Sequence, residues 1–177
     1  MKELLDLARN AICCKLKGKK LEIPDKVKKF SEKRASFVTL TLNGELRGCI
    51  GTLYPIRELW KDVVYNAECA AFKDPRFFPL TEEELKKTKI EISILSYPKK
   101  IEFKDEKDLL KKINKNFGLI LKKDFHIATF LPQVWEQIPD KIKFLENLSI
   151  KAGLNKDSWK NSELWCYKVK KIKEDNL

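Results

Sequence analysis

The chain is poor in histidine, arginine, glycine and methionine, and it has no long apolar run. Its 177 residues include one histidine, His126, one methionine and six glycines. A lone imidazole excludes any zinc site or other cluster that requires two imidazoles from one chain. No apolar stretch approaches the roughly 20 residues of a bilayer-spanning helix, and no basic, apolar, small-residue leader opens the sequence. A soluble cytoplasmic protein without membrane contact is the expectation.

Arginine is scarce among the basic residues. Arg9, Arg34, Arg47, Arg57 and Arg76 stand against 32 lysines in a chain of net charge +11. Lysine is the weaker residue for bidentate phosphate or base recognition. No basic run is interleaved with aromatics as a single-strand binding platform requires. The charge therefore reads as a solvated lysine-rich surface, with nucleic-acid binding as the alternative. Cysteine is present but unpatterned: Cys13, Cys14, Cys49, Cys69 and Cys166 are odd in number, and no pair has a two-residue gap. They read as free thiols.

What is present is enough for a core. Hydrophobic residues make up 43% of the chain, and a domain of this length buries about 70% of the surface its unfolded chain exposes. Leu4, Leu5, Ala8, Ala11, Ile12 and Leu16 recur at helical spacing before Gly18. The spacing of Ile56, Leu59, Trp60, Val63, Val64, Ala67, Ala70 and Ala71 predicts a second helix, opened by Pro55 and ended by Asp74-Pro75. Thr81 and Glu84 form a capping box with a Leu80–Leu85 staple. Alternation predicts strands at Phe37–Leu42 and Ile90–Leu95, a hairpin of Phe117–Leu121 and Phe125–Phe130 joined through Lys122-Lys123-Asp124, and a closing strand at Leu164–Val169. Residues 140 to 152 read as a helix stopped by Gly153. Helices mixed with short hairpins indicate an α+β fold with antiparallel pairing.

The residues Leu46-Arg47-Gly48-Cys49-Ile50-Gly51-Thr52 carry the best functional clue. Glycine within a strand marks a close approach of ligand or backbone. A two-residue turn at Asn43-Gly44 would pair Leu40 with Arg47 and Val38 with Cys49, placing guanidinium and thiol on one face. Cys49 is the candidate catalytic residue: a thiolate beside Arg47 and glycine amides would have its pKa lowered. The competing reading is a small buried hydrophobe, because only His126 is available as a base. Arg47 either grips an anion or is a core arginine charge-paired with Glu91 or Asp74. Gly48 and Gly51 could offer amides to a phosphate or carboxylate. Asp74-Pro75-Arg76 reads as a helix-ending turn with an internal ion pair. Asp74, Arg76, Glu91 and His126 join Arg47, Gly48 and Gly51 as candidate binding residues.

Six stretches in order carry a resemblance: Phe37-Val38-Thr39-Leu40; Gly44 through Thr52; Ala70-Ala71-Phe72 through Asp74-Pro75-Arg76-Phe77; Ile90 through Leu95; Phe130-Leu131-Pro132-Gln133-Val134-Trp135; and Lys151-Ala152-Gly153-Leu154. In these the chain resembles the AMMECR-one family, including the AmmeMemoRadiSam system protein A. The resemblance implies one family domain over residues 1–177, an antiparallel sheet flanked by helices, with a larger and a smaller lobe, and a groove at Arg47 to Gly51. It also implies a modification pathway shared with a Memo-like protein and a radical S-adenosylmethionine enzyme as partners. Two functions stay open: binding an anionic small-molecule substrate or intermediate in that groove, or serving as a non-catalytic nucleotide, RNA or protein-binding module. The cofactor stays open.

Overall fold

The computed structural model describes residues 1–174. They form a mixed helix and strand fold with two four-stranded sheets, divided into two compact units: residues 1–95 with 170–174, and residues 96–169. Each unit closes around its own apolar cluster.

The first unit holds α1 (Lys2–Leu16), β1 (Ser36–Leu42), β2 (Glu45–Gly51), α2 (Leu59–Phe72), α3 (Glu82–Lys87) and β3 (Thr88–Leu95). The apolar stripe of α1 buries Leu4, Leu5, Leu7, Ala8, Ala11 and Ile12. On α2 the buried set is Leu59, Val63, Ala67, Ala70 and Ala71, so both helices close on Val38, Leu40, Ile90 and Ile92 of the sheet. The second helix begins at Leu59 rather than at Pro55. β1 pairs antiparallel with β2 and with β3, which puts β2 at an edge. Arg9 of α1 fastens α3 in place, donating to the Leu85 carbonyl at 2.9 Å, to the Thr88 carbonyl at 2.6 Å and to both oxygens of Glu174.

The second unit holds β4 (Lys99–Lys100), α4 (Glu106–Lys112), β5 (Gly118–Lys123), β6 (His126–Phe130), α5 (Val134–Gln137), α6 (Lys141–Lys151) and β7 (Glu163–Tyr167). The strand order is β4-β7-β5-β6. Trp135 stacks on Phe144 at 3.6 Å between ring centroids, in the middle of this unit's core. The β5–β6 hairpin turns on two residues, Asp124 and Phe125, with Lys123 opposite His126. The lysines expected in the turn are therefore in the strand, and Phe125 is fully exposed. The closing strand expected over 164–169 is two strands, β7 and β8 (Val169–Lys173), because Lys168 breaks the run. β8 lies beside β3 at the end of the first sheet.

Candidate functional site

The site begins with a hairpin that carries one residue too many. Asn43 and Gly44, at φ 54° and 87°, make the left-handed two-residue turn that an Asn-Gly pair favours. Leu42 then faces Glu45 and Thr41 faces Leu46, but Leu40 faces Gly48, so Arg47 is inserted as a bulge. The extra residue breaks the strict alternation of the strand. Arg47 and Gly48 are consecutive buried residues. The expected pairs Leu40–Arg47 and Val38–Cys49 are thus corrected to Leu40–Gly48 and Thr39–Cys49. Cys49 lies on the Thr39 face, opposite Val38 and Leu40, and its Sγ is 3.2 Å from Thr39 Oγ1.

Arg47 is only 9% exposed. Its Nε donates to Glu84 Oε1 at 2.8 Å, and Nη2 donates to Glu84 Oε2 at 3.0 Å and to the Phe78 carbonyl at 2.9 Å. Neither Glu91 nor Asp74 is its partner. The capping box of α3 explains the choice: Thr81 Oγ1 accepts from the Glu84 amide at 3.2 Å, and Glu84 Oε2 accepts from the Thr81 amide at 2.9 Å. One carboxylate thus closes the helix start and meets the arginine fork. Arg47 first, and the Thr81 amide next, hold the Glu84 carboxyl down at about 2. Nη1 of Arg47 is buried and has no hydrogen-bond partner among the described residues.

Asp74 and Arg76 bind each other and the strand edge. Arg76 donates from Nε to Asp74 Oδ1 at 2.9 Å and from Nη2 to Asp74 Oδ2 at 2.7 Å. Asp74 Oδ2 also accepts from the Cys49 amide at 2.8 Å, and Arg76 Nη2 donates to the Cys49 carbonyl at 3.3 Å. An edge strand presents unpaired backbone groups that invite pairing with another chain. Here the turn after α2 supplies both a donor and an acceptor to Cys49, in place of a neighbouring strand. The Arg76 guanidinium holds the Asp74 carboxyl at about 2. Asp74 in turn pushes the Arg76 guanidinium further above its ordinary value.

Between these two arginines lies a groove of about 400 Å³ lined by Arg47, Arg76, Phe77, Phe78, Pro79, Thr81 and Glu84. Both guanidiniums lie over the Phe77 ring, at 5.6 and 5.5 Å from its centroid. Phe78 is 90% exposed. Cys49 is not among the lining residues, and its backbone is bonded to Asp74 and Arg76. The two glycines of the motif have packing reasons. A Cβ on Gly48 would stand 2.2 Å from the Ala70 carbonyl oxygen, and one on Gly51 would enter the Phe37 ring.

The remaining candidates lie elsewhere. Glu91 is opposite Thr39 in β3 and pairs with Lys171 at 3.5 Å. His126 belongs to the second unit, where its Nδ1 donates to the Ala152 carbonyl at 2.8 Å. Among the described residues no group of three or more metal-ligating side chains forms, all five cysteines are free thiols, and no helix is long and apolar enough to cross a membrane.

A family model, AMMECR1, matches residues 5–172. The chain belongs to the AMMECR1 family. Its relatives include a Nanoarchaeum equitans protein, 39% identical over 97% of this chain and 99% of its own length, and an Aquifex aeolicus protein, 39% identical over 94% and 88%. A crystal structure of an uncharacterized protein from Pyrococcus horikoshii is similar, with a TM-score of 0.89, 35% identity and coverage of 97% of this chain and 90% of that one.

Two features of this AMMECR1 fold escape a reading of the sequence. Glu84 and Phe78 are one; their signal, a capping box, speaks only of helix α3. The other is a buried hub on α2. Asp62, fully buried, accepts from the Ser36 amide at 2.9 Å, Ser36 Oγ at 2.7 Å, Thr52 Oγ1 at 2.7 Å, Asn66 Nδ2 at 2.9 Å and Arg57 Nη1 at 3.1 Å. It ties the start of β1 and the segment after β2 to the helix. Asp62 and Asn66, four residues apart on an apolar helix face, are the signal that points to it.

Proposed function

We propose that this protein binds a small anionic molecule in the groove beside Arg47, as a component of a modification pathway shared with a Memo-like protein and a radical S-adenosylmethionine enzyme. The pathway and its partners rest on the family resemblance; the binding rests on one observation. Arg47 lines the groove, and its Nη1 is a buried donor with no acceptor among the described residues. An unmet buried donor costs about 1–3 kcal/mol and persists where a ligand or water completes it.

The other groups suit that role. Glu84 and the Phe78 carbonyl fix the Arg47 fork, so little ordering remains to be done on binding. Arg76 keeps about half of its side chain open to solvent while Asp74 holds it in place. Thr81 adds a hydroxyl to the lining. Two guanidiniums balanced by two carboxylates leave the empty groove near neutral, so an oxyanion gains from directed donors rather than from net charge. Cys49 is given no bond-making step, since its thiol rests against Thr39 instead of lining the groove.

Calorimetric titration with inorganic phosphate and with citrate tests the reading. The wild type is expected to bind at least one of them, and Arg76→Ala to weaken it about tenfold without loss of the folded state. No measurable heat from either anion at low ionic strength would overturn it.

A further inference from the structure

The oxyanion reading leaves the body of the ligand unspecified, and Phe78 specifies it. The residue lines the groove and is 90% exposed, the most open large hydrophobic among the described residues of the first unit. Its backbone is nevertheless tied down on both sides. The Phe77 amide donates to the Asp74 carbonyl at 3.1 Å, the Phe78 carbonyl accepts from Arg47 at 2.9 Å, and the Leu80 amide donates to the Ala71 carbonyl at 2.8 Å above a buried Leu80 side chain. A ring offered to water from a fastened segment is a preformed apolar surface with nothing covering it. Phe77, its neighbour, is already engaged by both guanidiniums.

The groove thus offers two things side by side: cationic donors at Arg47 and Arg76, and an open phenyl face at Phe78. Building on the oxyanion reading, we infer that its ligand joins an oxyanion to a flat aromatic ring, the oxyanion held at the arginines and the ring stacked on Phe78. An aliphatic anion would leave the phenyl bare. A volume of about 400 Å³ falls within the range of small-molecule sites and suits a nucleoside monophosphate or an aromatic carboxylate.

The test compares three probes, adenosine monophosphate, indole-3-carboxylate and inorganic phosphate, on the wild type, Phe78→Ala and Phe78→Tyr. Phe78 is exposed, so neither substitution disturbs the core, and matching melting temperatures check this. The expected result is that at least one ring-bearing probe binds the wild type about tenfold more tightly than inorganic phosphate. Phe78→Ala should erase that advantage while phosphate affinity stays constant, and Phe78→Tyr should keep it. Whichever ring-bearing probe shows the advantage identifies the source. Ring-bearing probes no tighter than phosphate, or an advantage that survives Phe78→Ala, would overturn the inference and leave the oxyanion reading standing. Failure of all three probes, together with citrate, would overturn both.

Discussion

Arg47 and Glu84 meet fork to fork across 37 positions of sequence, with Nε–Oε1 at 2.8 Å and Nη2–Oε2 at 3.0 Å. The pair joins the bulged edge strand to the first turn of α3, and the groove lies beside the joint. Its strength comes from geometry: two N–H groups of one guanidinium meet the two oxygens of one carboxylate, and the arginine is almost sealed from water.

Removing Glu84 leaves a buried guanidinium with its fork open and the helix without its capping box. Glu84→Ala is expected to cost about 2–3 kcal/mol in urea unfolding, below the 3–5 of a fully buried pair because Glu84 reaches solvent. Glu84→Gln keeps the capping box and should cost about half as much. A loss under about 0.5 kcal/mol for Glu84→Ala would show that the pair is an ornament of the surface.

Asp74 and Glu84 both titrate near 2 in the folded protein, while the unfolded chain titrates them at about 4. Folded carboxyls with depressed pKa values contribute stability that is complete above about pH 4.5 and drains away as pH falls toward 2. Circular dichroism of acid-titrated samples should therefore show stability falling through that window. The fall should be shallower in Asp74→Asn and in Glu84→Gln. Equal slopes in all three proteins would refute the assignment.

Gly48 and Gly51 separate two kinds of crowding. A methyl on Gly48 meets the backbone oxygen of Ala70, which α2 holds rigidly, whereas one on Gly51 meets the half-buried Phe37 side chain at its Cγ, 2.2 Å away, which yields only if the whole side chain swings about Cα–Cβ. Gly48→Ala should lose about 3 kcal/mol and Gly51→Ala about 1. Thermal melts of the two variants decide it, and the reverse order would refute the packing explanation of the motif.

Asp62 anchors the far end of the same hairpin. Replacing it by alanine takes their acceptor from Ser36 and Thr52 and leaves Asn66 with the Ser36 carbonyl, at an expected cost of about 3–5 kcal/mol. Hydrogen exchange at the Ser36 amide should quicken with it. Unchanged exchange would mean that the hub is not what pins β1.

Periodicity made the helices legible: the stripes of α1 and α2 and the capping box at Thr81 and Glu84 are visible residue by residue in the sequence. The Asn43-Gly44 turn was equally plain. The bulge at Arg47 was not, because nothing in the sequence requires an extra residue there, and one residue is enough to move Cys49 to the opposite face. Asp74–Arg76 was legible as a local ion pair. The clasp that this pair forms on Cys49 depends on how the end of α2 meets β2, which local pattern does not encode. The partner of Arg47 was missed for a related reason. Glu84 announces a helix start, and only the packing of α3 against the hairpin gives its carboxylate a second use.

Nitrogen-15 NMR of the arginine side chains tests the oxyanion site most directly, since five arginines give five Nε–H signals. During titration with inorganic phosphate and then with citrate, the signals of Arg47 and Arg76 should move together along one saturable curve for at least one of the two anions while Arg9, Arg34 and Arg57 stay in place. Five signals that stay still, or five that drift alike with added salt, would contradict the account.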